Sequence, residues 1–377
     1  MYERYNLKIN PFTDQSLDYP IVNRVETESI MRRRLALFVQ SRNPGIIPLQ
    51  GAYGVGKTFF LIALENKICE GTFFERKEKV LASYITAIFP RAPSQYIHYV
   101  YSQSMKRVGF ERFRDMIQAL GKLKKKEDLL RNFDRDFRNA LLNFENNEEA
   151  AWAYVSGETI SRSEAKNIEI GRSVKDDEQS LTAFLEFLKL LHILNYESFV
   201  LLIDEFEYLF ARGGQQGAQF LNTFRFLYDR ALERFSRGEK IANPLFVPAC
   251  SILTWKQISE DAERQVMGTK PFVDRSQEAI PLPPFDHKET KELVFGRLDR
   301  WRIDRSDKSR LGLFPFVDGG GNDPFDFITK VNTGLPRLIL KNTATMLDEA
   351  YERKFENIGL KEVKTLARDL GIEHSEE

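Results

Sequence analysis

The sequence feature that does most to limit the possible folds of this chain is a glycine-rich run, GAYGVGKT, at residues 51–58. It follows a short apolar run, PGIIPLQ, which has the length and composition of a buried parallel strand. It precedes KTFFLIALENKI, whose apolar residues have helical spacing. The pattern G-x-x-x-x-G-K-[ST] binds phosphate groups when it lies between a strand and a helix. A glycine-rich turn that matches the pattern by chance need not have a strand before it or a helix after it. The run therefore predicts a nucleotide-binding parallel α/β fold.

Each residue type in this run, which we call the phosphate loop, has a mechanical role. Glycines allow the positive φ angles at which successive N–H groups point at phosphate oxygens, and the following helix adds its dipole. Lys57 is predicted to reach the β- and γ-phosphates of ATP, and Thr58 to offer its hydroxyl to Mg²⁺. The predicted nucleotide-binding residues of the loop are Gly51, Ala52, Tyr53, Gly54, Val55, Gly56, Lys57 and Thr58.

A second apolar run, FVLLIDE at residues 199–205, supplies the carboxylates that such a site needs. Ligands of open parallel sheets bind at the carboxyl ends of the strands, and this run ends in two acids. Asp204 is predicted to hold the Mg²⁺ shell, and Glu205 to orient or deprotonate the attacking water. The alternative is an ordinary strand that ends in solvated acids. Beside a phosphate loop, the pair indicates ATP hydrolysis rather than nucleotide binding alone.

The order of the remaining elements predicts the domain organisation. Further strands are expected over residues 80–88, 244–252 and 278–285, and they alternate with helical patterns. Beyond residue 285 the pattern is helical. We therefore expect a parallel sheet with helices on both faces over residues 1–285, and a helical lid over residues 286–377.

Composition excludes several classes of protein. Acidic and basic residues balance at 55 each, so no overall charge attracts the chain to nucleic acid. Two cysteines give no disulfide framework and favour a reducing compartment. The N-terminus lacks the apolar core of a signal peptide, and no apolar run approaches membrane-spanning length. We expect a cytoplasmic protein without membrane contact.

These motifs resemble those of the AAA+ ATPases, and the resemblance covers nearly the whole chain. Ser251, after the strand LFVPAC, is similar to the polar sensor-1 residue of the family, with Thr254 as the alternative. Gly334-Leu335-Pro336-Arg337 resembles the sensor-2 motif, in which an arginine folds over the nucleotide and reports the γ-phosphate to the lid. The resemblance implies that Ser251 and Arg337 take part in catalysis.

The N-terminal segment resembles the one that precedes the phosphate loop in origin-recognition and related archaeal-type ATPases, where it covers the adenine. The matching residues are Tyr5-Asn6-Leu7, Asn10-Pro11-Phe12 and Ile21-Val22-Asn23-Arg24 with Glu26. The resemblance implies that Asn23 and Arg24 bind the nucleotide. Such relatives usually continue into a winged-helix DNA-binding domain, for which the acidic end EHSEE leaves no room. We therefore expect a subunit of a larger machine rather than a replication initiator.

The resemblance also implies an arginine finger that a neighbouring subunit supplies just before the last strand. Arg275 has that position, and Arg264 is the second candidate. The alternative for Arg275 is a surface arginine before an edge strand. A finger would require a homo-oligomer with ATP at the subunit interface.

The chain departs from a minimal AAA+ core between Lys57 and Asp204, which are roughly 145 residues apart, more than two strand–helix pairs need. The excess predicts a helical insertion at about 94–180. Its layout around Trp152, Gly157 and Glu158 loosely resembles the ATP-binding proteins that accompany BREX-type phage-defence systems.

The insertion is rich in basic residues, with Phe110, Phe113 and Phe133 among them, which is compatible with DNA binding. Interleaved acids favour ion pairs on a solvated helix equally well, and the phenylalanines then form a buried stripe. The basic residues are Lys106, Arg107, Arg112, Arg114, Lys122, Lys124, Lys125, Lys126, Arg131, Arg135 and Arg138.

Two functions follow from this pattern. The first is a Mg²⁺-dependent ATPase that drives an oligomeric switch or motor on DNA, in phage defence or mobile-element regulation. The second is a protein-remodelling or signalling ATPase whose inserted helices dock a partner protein of a defence or transposition complex. A small-molecule kinase would share the phosphate loop, but Gly334–Arg337 and the Asp204–Glu205 pair disfavour it.

Overall fold

The computed structural model describes residues 2–13, 24–74, 79–88, 95–124, 126–208, 214–266, 268–304, 312–317 and 323–372. The strands are β1 (Gly45–Ile46), β2 (Leu49–Gln50), β3 (Val80–Thr86), β4 (Ser198–Asp204), β5 (Asn243–Cys250) and β6 (Ile280–Pro281). The helices are α1 (Val25–Ser41), α2 (Lys57–Cys69), α3 (Tyr96–Val108), α4 (Phe110–Gly121), α5 (Lys126–Leu130), α6 (Arg135–Leu142), α7 (Glu148–Val155), α8 (Arg162–Asn167), α9 (Asp177–Ile193), α10 (Gly214–Ser236), α11 (Ile252–Glu263), α12 (Thr269–Arg275), α13 (His287–Arg300), α14 (Pro324–Val331), α15 (Pro336–Glu352) and α16 (Leu360–Asp369).

The strands form one parallel sheet in the order β3-β4-β5-β2-β6, and β1 also pairs with β5. All seven residues of β4 are buried, so both faces of the sheet are covered at its centre. The predicted parallel α/β fold is confirmed. The strand expected over residues 44–50 is interrupted between β1 and β2, where Pro48 has no N–H for the ladder. Prolines likewise shorten the last strand to Ile280–Pro281.

Strand β3 forms one edge of the sheet, and side chains cap its outward-facing backbone groups. The N–H of Tyr84 donates to Oε1 of Glu65, on α2, over 2.9 Å. The hydroxyl of Tyr99, on α3, donates to the carbonyl of Thr86 over 2.6 Å. An uncapped strand edge would present unpaired donors and acceptors to another chain. Here, helices that follow β2 and β3 in the chain satisfy them.

The chain divides into two compact units. One, the sheet unit, comprises Thr27–Gln50 and Leu61–Pro281 and contains the whole sheet. The other, the lid unit, comprises Met1–Glu26, Gly51–Phe60 and Leu282–Glu377. The phosphate loop thus belongs to the same unit as the C-terminal helices. A domain boundary at residue 285 stays a prediction.

The core of the sheet unit extends without interruption into α3–α8, which we call the inserted helices. Phe113 of α4 and Phe137 of α6 are buried in the same apolar cluster as Phe199 and Leu201 of β4. Trp152 of α7 packs on the Phe113 ring, with the ring centroids 5.4 Å apart. The inserted helices therefore form part of the hydrophobic core of this unit.

The core of the lid unit is built by both ends of the chain. Tyr5 and Leu7 are buried among the side chains of α13–α16. The Tyr5 hydroxyl donates to the carbonyl of Phe355 over 2.8 Å, and Nδ2 of Asn10 donates to that of Ala344 over 2.9 Å. These contacts anchor residues 2–13 on the C-terminal helices. A role for this segment over the adenine stays a prediction.

Candidate nucleotide-binding site

The phosphate loop has the backbone conformation that its sequence predicts. Strand β2 ends at Gln50, and helix α2 begins at Lys57. Between them, Gly54 and Gly56 have φ angles of 80° and 99°, which favour glycine. Such glycines allow successive N–H groups to turn into one concavity, at the N-terminus of a 13-residue helix. This is the local geometry of an anion-binding loop.

Lys57 and Thr58 occupy the first two positions of α2. Lys57 is 8% exposed, and its Nζ donates to the carbonyls of Gly51 and Ala52 over 3.1 and 3.4 Å. Its ammonium group therefore lies within the loop itself. Thr58 is partly buried on the following position. Both side chains belong to the segment that a bound phosphate would contact.

Arg24 donates a hydrogen bond to the backbone of the phosphate loop. Its side chain is buried, and its guanidinium donates to the carbonyl of Val55 over 3.0 Å and to that of Pro283 over 2.6 Å. It also lies 4.2 Å from the ring centroid of Phe285. Burial lowers the pKa of Arg24 to about 10, against the opposing charge of Glu289. Arg24 thus holds a loop carbonyl in this structure, and the adjacent Asn23 lies outside the described residues.

Arg337 lies directly against the phosphate loop. Its backbone N–H donates to the carbonyl of Gly54 over 3.3 Å, and its guanidinium donates to the Tyr53 hydroxyl over 2.6 Å. Gly334, which precedes it, has φ +65°, and a Cβ there would lie 2.3 Å from the carbonyl oxygen of Phe285. Only glycine permits this approach. The structure therefore brings the predicted sensor-2 arginine to Tyr53 and Gly54.

The sheet unit holds the predicted carboxylates at the carboxyl end of β4. Asp204 is 2% exposed, and its Oδ2 accepts a hydrogen bond of 2.9 Å from the Tyr84 hydroxyl. Burial and the nearby Asp204 carboxylate raise the pKa of Tyr84, so the phenol stays protonated and donates. Glu205 follows with φ 56°, in the left-handed region that is costly for a side-chain-bearing residue. The chain turns there, directly after the last residue of the strand.

The carboxylate set fits magnesium held together with a nucleotide. Within the described ranges, the hydrogen bond from the Tyr84 hydroxyl engages Oδ2 of Asp204. Those ranges contain no cluster of three or more His, Cys, Asp or Glu side chains that would hold a metal alone. Mg²⁺ commonly uses one or two carboxylates plus substrate phosphates. Asp204 is a residue type suited to that arrangement.

The two sensor-1 candidates lie together after β5. Ser251 caps α11, because its Oγ accepts the N–H of Thr254 over 3.0 Å. The two hydroxyl oxygens are 2.9 Å apart, and Thr254 is buried. Strand order places the ends of β4, β5 and β2 side by side at one edge of the parallel sheet. Ser251 therefore emerges at the same sheet edge as Asp204.

The two arginine-finger candidates differ in their surroundings. Arg275 ends α12, as its predicted position before the last strand requires, and it pairs with Asp229 over 2.9 Å. Its guanidinium also donates to the carbonyl of Pro271. Arg264 is 73% exposed and lies 3.9 Å from Glu260. In this single chain, Arg275 is thus held by an intramolecular ion pair.

Tyr84 is the residue at the site that sequence reasoning missed. It lies within the predicted strand over residues 80–88, but its contact with Asp204 depends on how β3 pairs with β4. The sequence signal for this contact is that Tyr84 stands two residues before Thr86, where β3 ends. To use that signal, one must know that β3 pairs with β4, the strand that ends in the acids.

Comparison with solved structures identifies the fold. The ORC2 protein of Aeropyrum pernix, in ADPNP–ADP complexes, is similar over 96% of this chain and 71% of its own, with a TM-score of 0.54 and 13% identity. The ORC1 protein of the same organism, in complex with DNA, is similar over 96% of this chain and 68% of its own, with a TM-score of 0.50 and 12% identity. The chain therefore shares its fold with these two origin-recognition proteins. No protein-family model and no curated protein sequence matches the chain.

The helices of the described ranges are too short or too polar to cross a bilayer.

Proposed function

We propose that this protein is a Mg²⁺-dependent ATPase that works as an oligomeric AAA+ switch or motor. One observation carries the proposal: Gly54 and Gly56 turn the loop after β2 so that it ends at the N-terminus of α2, with Lys57 inside it. A glycine turn without function requires no buried lysine at that point. The AAA+ fold supports the same assignment.

We assign the following roles to the residues of this site. The backbone of residues 51–56 and the ammonium of Lys57 bind the phosphates, while Thr58 and Asp204 hold the Mg²⁺ shell. Mg²⁺, when bound, neutralises the charge that develops on the transferred phosphate. Glu205 orients or deprotonates the attacking water. Arg337, beside Tyr53, senses the γ-phosphate, with Ser251 or Thr254 as the polar sensor after β5.

The proposal is tested by measuring ATP binding and hydrolysis by the purified chain with and without Mg²⁺. We expect Mg²⁺-dependent hydrolysis, and we expect Lys57→Ala to weaken ATP binding at least tenfold because a charge-assisted phosphate contact is lost. Lys341→Ala, an exposed lysine on α15, is the matched control. Unchanged ATP binding by Lys57→Ala, or no hydrolysis by the wild-type chain under any condition including added DNA, would refute the proposal.

We further propose that the ATPase acts on DNA in phage defence or mobile-element regulation. The support is the AAA+ fold shared with a protein whose structure was solved in complex with DNA. The test is the hydrolysis rate with and without double-stranded DNA over a range of salt concentrations. Stimulation that falls steeply with salt supports DNA as the partner, and a rate indifferent to DNA contradicts it.

A partner protein is the second candidate, and the inserted helices favour it. Phe113 and Phe133 are buried, so they are unavailable for base stacking. Several basic side chains of this segment pair with acids of the same segment, as Arg114 does with Glu148 over 3.0 Å. Lys125 lies outside the described residues. The resemblance at Trp152, Gly157 and Glu158 to ATP-binding proteins of BREX-type systems supports a defence complex as the setting that we propose.

A further inference from the structure

Tyr84 fixes the orientation of the carboxylate that we assign to the Mg²⁺ shell. The hydrogen bond from its hydroxyl to Oδ2 of Asp204 joins the edge strand β3 to the end of β4. In the parallel register Tyr84 lies opposite Leu202, so its ring spans two further residues along β4 to reach Asp204. Since this bond engages Oδ2, it sets the rotation of the carboxylate. Oδ1 is then the oxygen directed away from Tyr84.

Tyr84 is itself held by the buried carboxylate of Glu65, which pairs with the exposed Arg107. Oε1 of Glu65 accepts the Tyr84 N–H over 2.9 Å, and Glu65 is 6% exposed. Arg107 donates from Nε to both oxygens of Glu65, over 2.9 and 3.0 Å, and its guanidinium lies 5.7 Å from the Tyr84 ring centroid. A forked arginine–carboxylate contact of this kind fixes geometry as well as charge. Arg107 belongs to α3, the first of the inserted helices.

These contacts form a continuous chain of three links. Arg107 orients Glu65, Glu65 holds the backbone of β3 at Tyr84, and the Tyr84 hydroxyl orients Asp204. Hydrogen-bond partners of this kind behind a metal-binding carboxylate set its position and its affinity for the metal. All four residues lie in the sheet unit.

We propose that Tyr84 is a positioning residue for Mg²⁺ binding through Asp204, and that the inserted helix α3 holds it in place through Arg107 and Glu65. The inference rests on the proposed function, because it takes Asp204 as part of the Mg²⁺ shell. It assigns the insertion a role in the nucleotide site that needs no partner. A purely structural hydroxyl would affect folding but would leave the Mg²⁺ requirement unchanged.

The test is a Mg²⁺ titration of the binding of a fluorescent ATP analogue to the full chain, a measurement that requires no turnover. Tyr84→Phe removes only the hydroxyl. We expect it to raise the Mg²⁺ concentration at half-saturation about tenfold and to leave binding of the analogue in EDTA unchanged. Tyr101→Phe is the matched control, because that hydroxyl donates to the carbonyl of Val155 instead.

Arg107→Gln is the second variant, and we expect a smaller increase in the same direction. Arg114→Gln, whose ion pairs with Glu111 and Glu148 do not include Glu65, is its control. In an Asp204→Asn background, Tyr84→Phe should add no further change, because both substitutions remove one coupled interaction.

The outcomes separate this inference from the proposed function. If the wild-type chain binds the analogue without any Mg²⁺ dependence, both are overturned. If the wild type responds to Mg²⁺ and Asp204→Asn weakens the response, but Tyr84→Phe matches Tyr101→Phe, then the role of Tyr84 is refuted and the proposed function stands. An additive effect of Tyr84→Phe in the Asp204→Asn background also refutes action through Asp204.

Discussion

At the scale of single residues, Glu205 combines an unfavourable backbone with the chemistry that the site needs. Its φ of 56° costs on the order of 1–3 kcal/mol for a residue other than glycine. The neighbouring Phe206 N–H donates to the carbonyl of Ala249 over 3.1 Å, which ties the turn to β5. The turn is therefore held by the sheet. Such strain concentrates at functional positions, where it fixes the direction of a side chain.

We predict that Glu205→Gln keeps ATP binding and lowers the hydrolysis rate at least a hundredfold, because the amide keeps the shape of the side chain but cannot accept a proton. The measurement is steady-state phosphate release together with nucleotide affinity. Glu260→Gln, on the surface of α11, is the control. Hydrolysis by Glu205→Gln within a factor of two of the wild type would show that another group activates the water.

Residue-level prediction from sequence succeeded where a motif fixes local geometry. The glycines of the loop and the position of Lys57 at the start of α2 follow from eight consecutive residues. Nucleotide binding by Arg24 stays a prediction, and its contacts with Val55 and Pro283 could not be predicted, because Pro283 lies far along the chain. The Tyr84–Asp204 bond was missed for the same reason, since strand register decides it.

At the scale of elements, prolines and glycines explain where the structure differs from simple pattern reading. Pro48 divides the first strand, and Gly334 allows α15 to begin directly beside Phe285.

Helix α1 was not anticipated. Its buried residues Met31, Leu35 and Val39 recur every four positions among charged residues, which makes a narrow apolar stripe. Long and strongly apolar elements such as β4 were predictable because burial on both faces leaves a continuous apolar run.

We predict that Gly334→Ala destabilises the protein by about 3 kcal/mol, because positive φ and a 2.3 Å clash with the Phe285 carbonyl act together. Gly371→Ala is the matched control, since its φ is +63° with nothing within 4 Å, and about 1 kcal/mol is expected. Thermal melting of both variants provides the comparison. Equal melting temperatures would show that the close approach at Gly334 relaxes without cost.

At the scale of the whole molecule, hydrolysis requires assembly if Arg275 acts on the nucleotide of a neighbouring subunit. Within the single chain, Arg275 pairs with Asp229. We predict that Arg275→Ala abolishes hydrolysis at saturating ATP while ATP affinity stays within about twofold, because a finger acts on the transition state from another subunit. Asp229→Asn is the control: it breaks the same pair and retains the arginine. Normal turnover by Arg275→Ala, or equal loss in Asp229→Asn, would indicate that Arg275 has only a structural role.

Subunit mixing tests the same assignment independently. Arg275→Ala retains its own Glu205, and Glu205→Gln retains its arginine, so a mixed assembly contains some complete interfaces. We predict that mixing the two inactive variants restores part of the wild-type hydrolysis rate, and that the rate rises with protein concentration. A mixture that stays inactive while the wild type assembles with ATP would place both groups in one subunit's site.

The capped edge of β3 has a consequence for any attempt to shorten this protein. Tyr99 and Glu65 occupy the positions at which a further strand would pair. Deleting the inserted helices to obtain a minimal ATPase would remove Tyr99, expose apolar core residues such as Leu81, and open the sheet to edge-to-edge aggregation. We therefore expect the insertion, by covering this strand, to protect the sheet from aggregation.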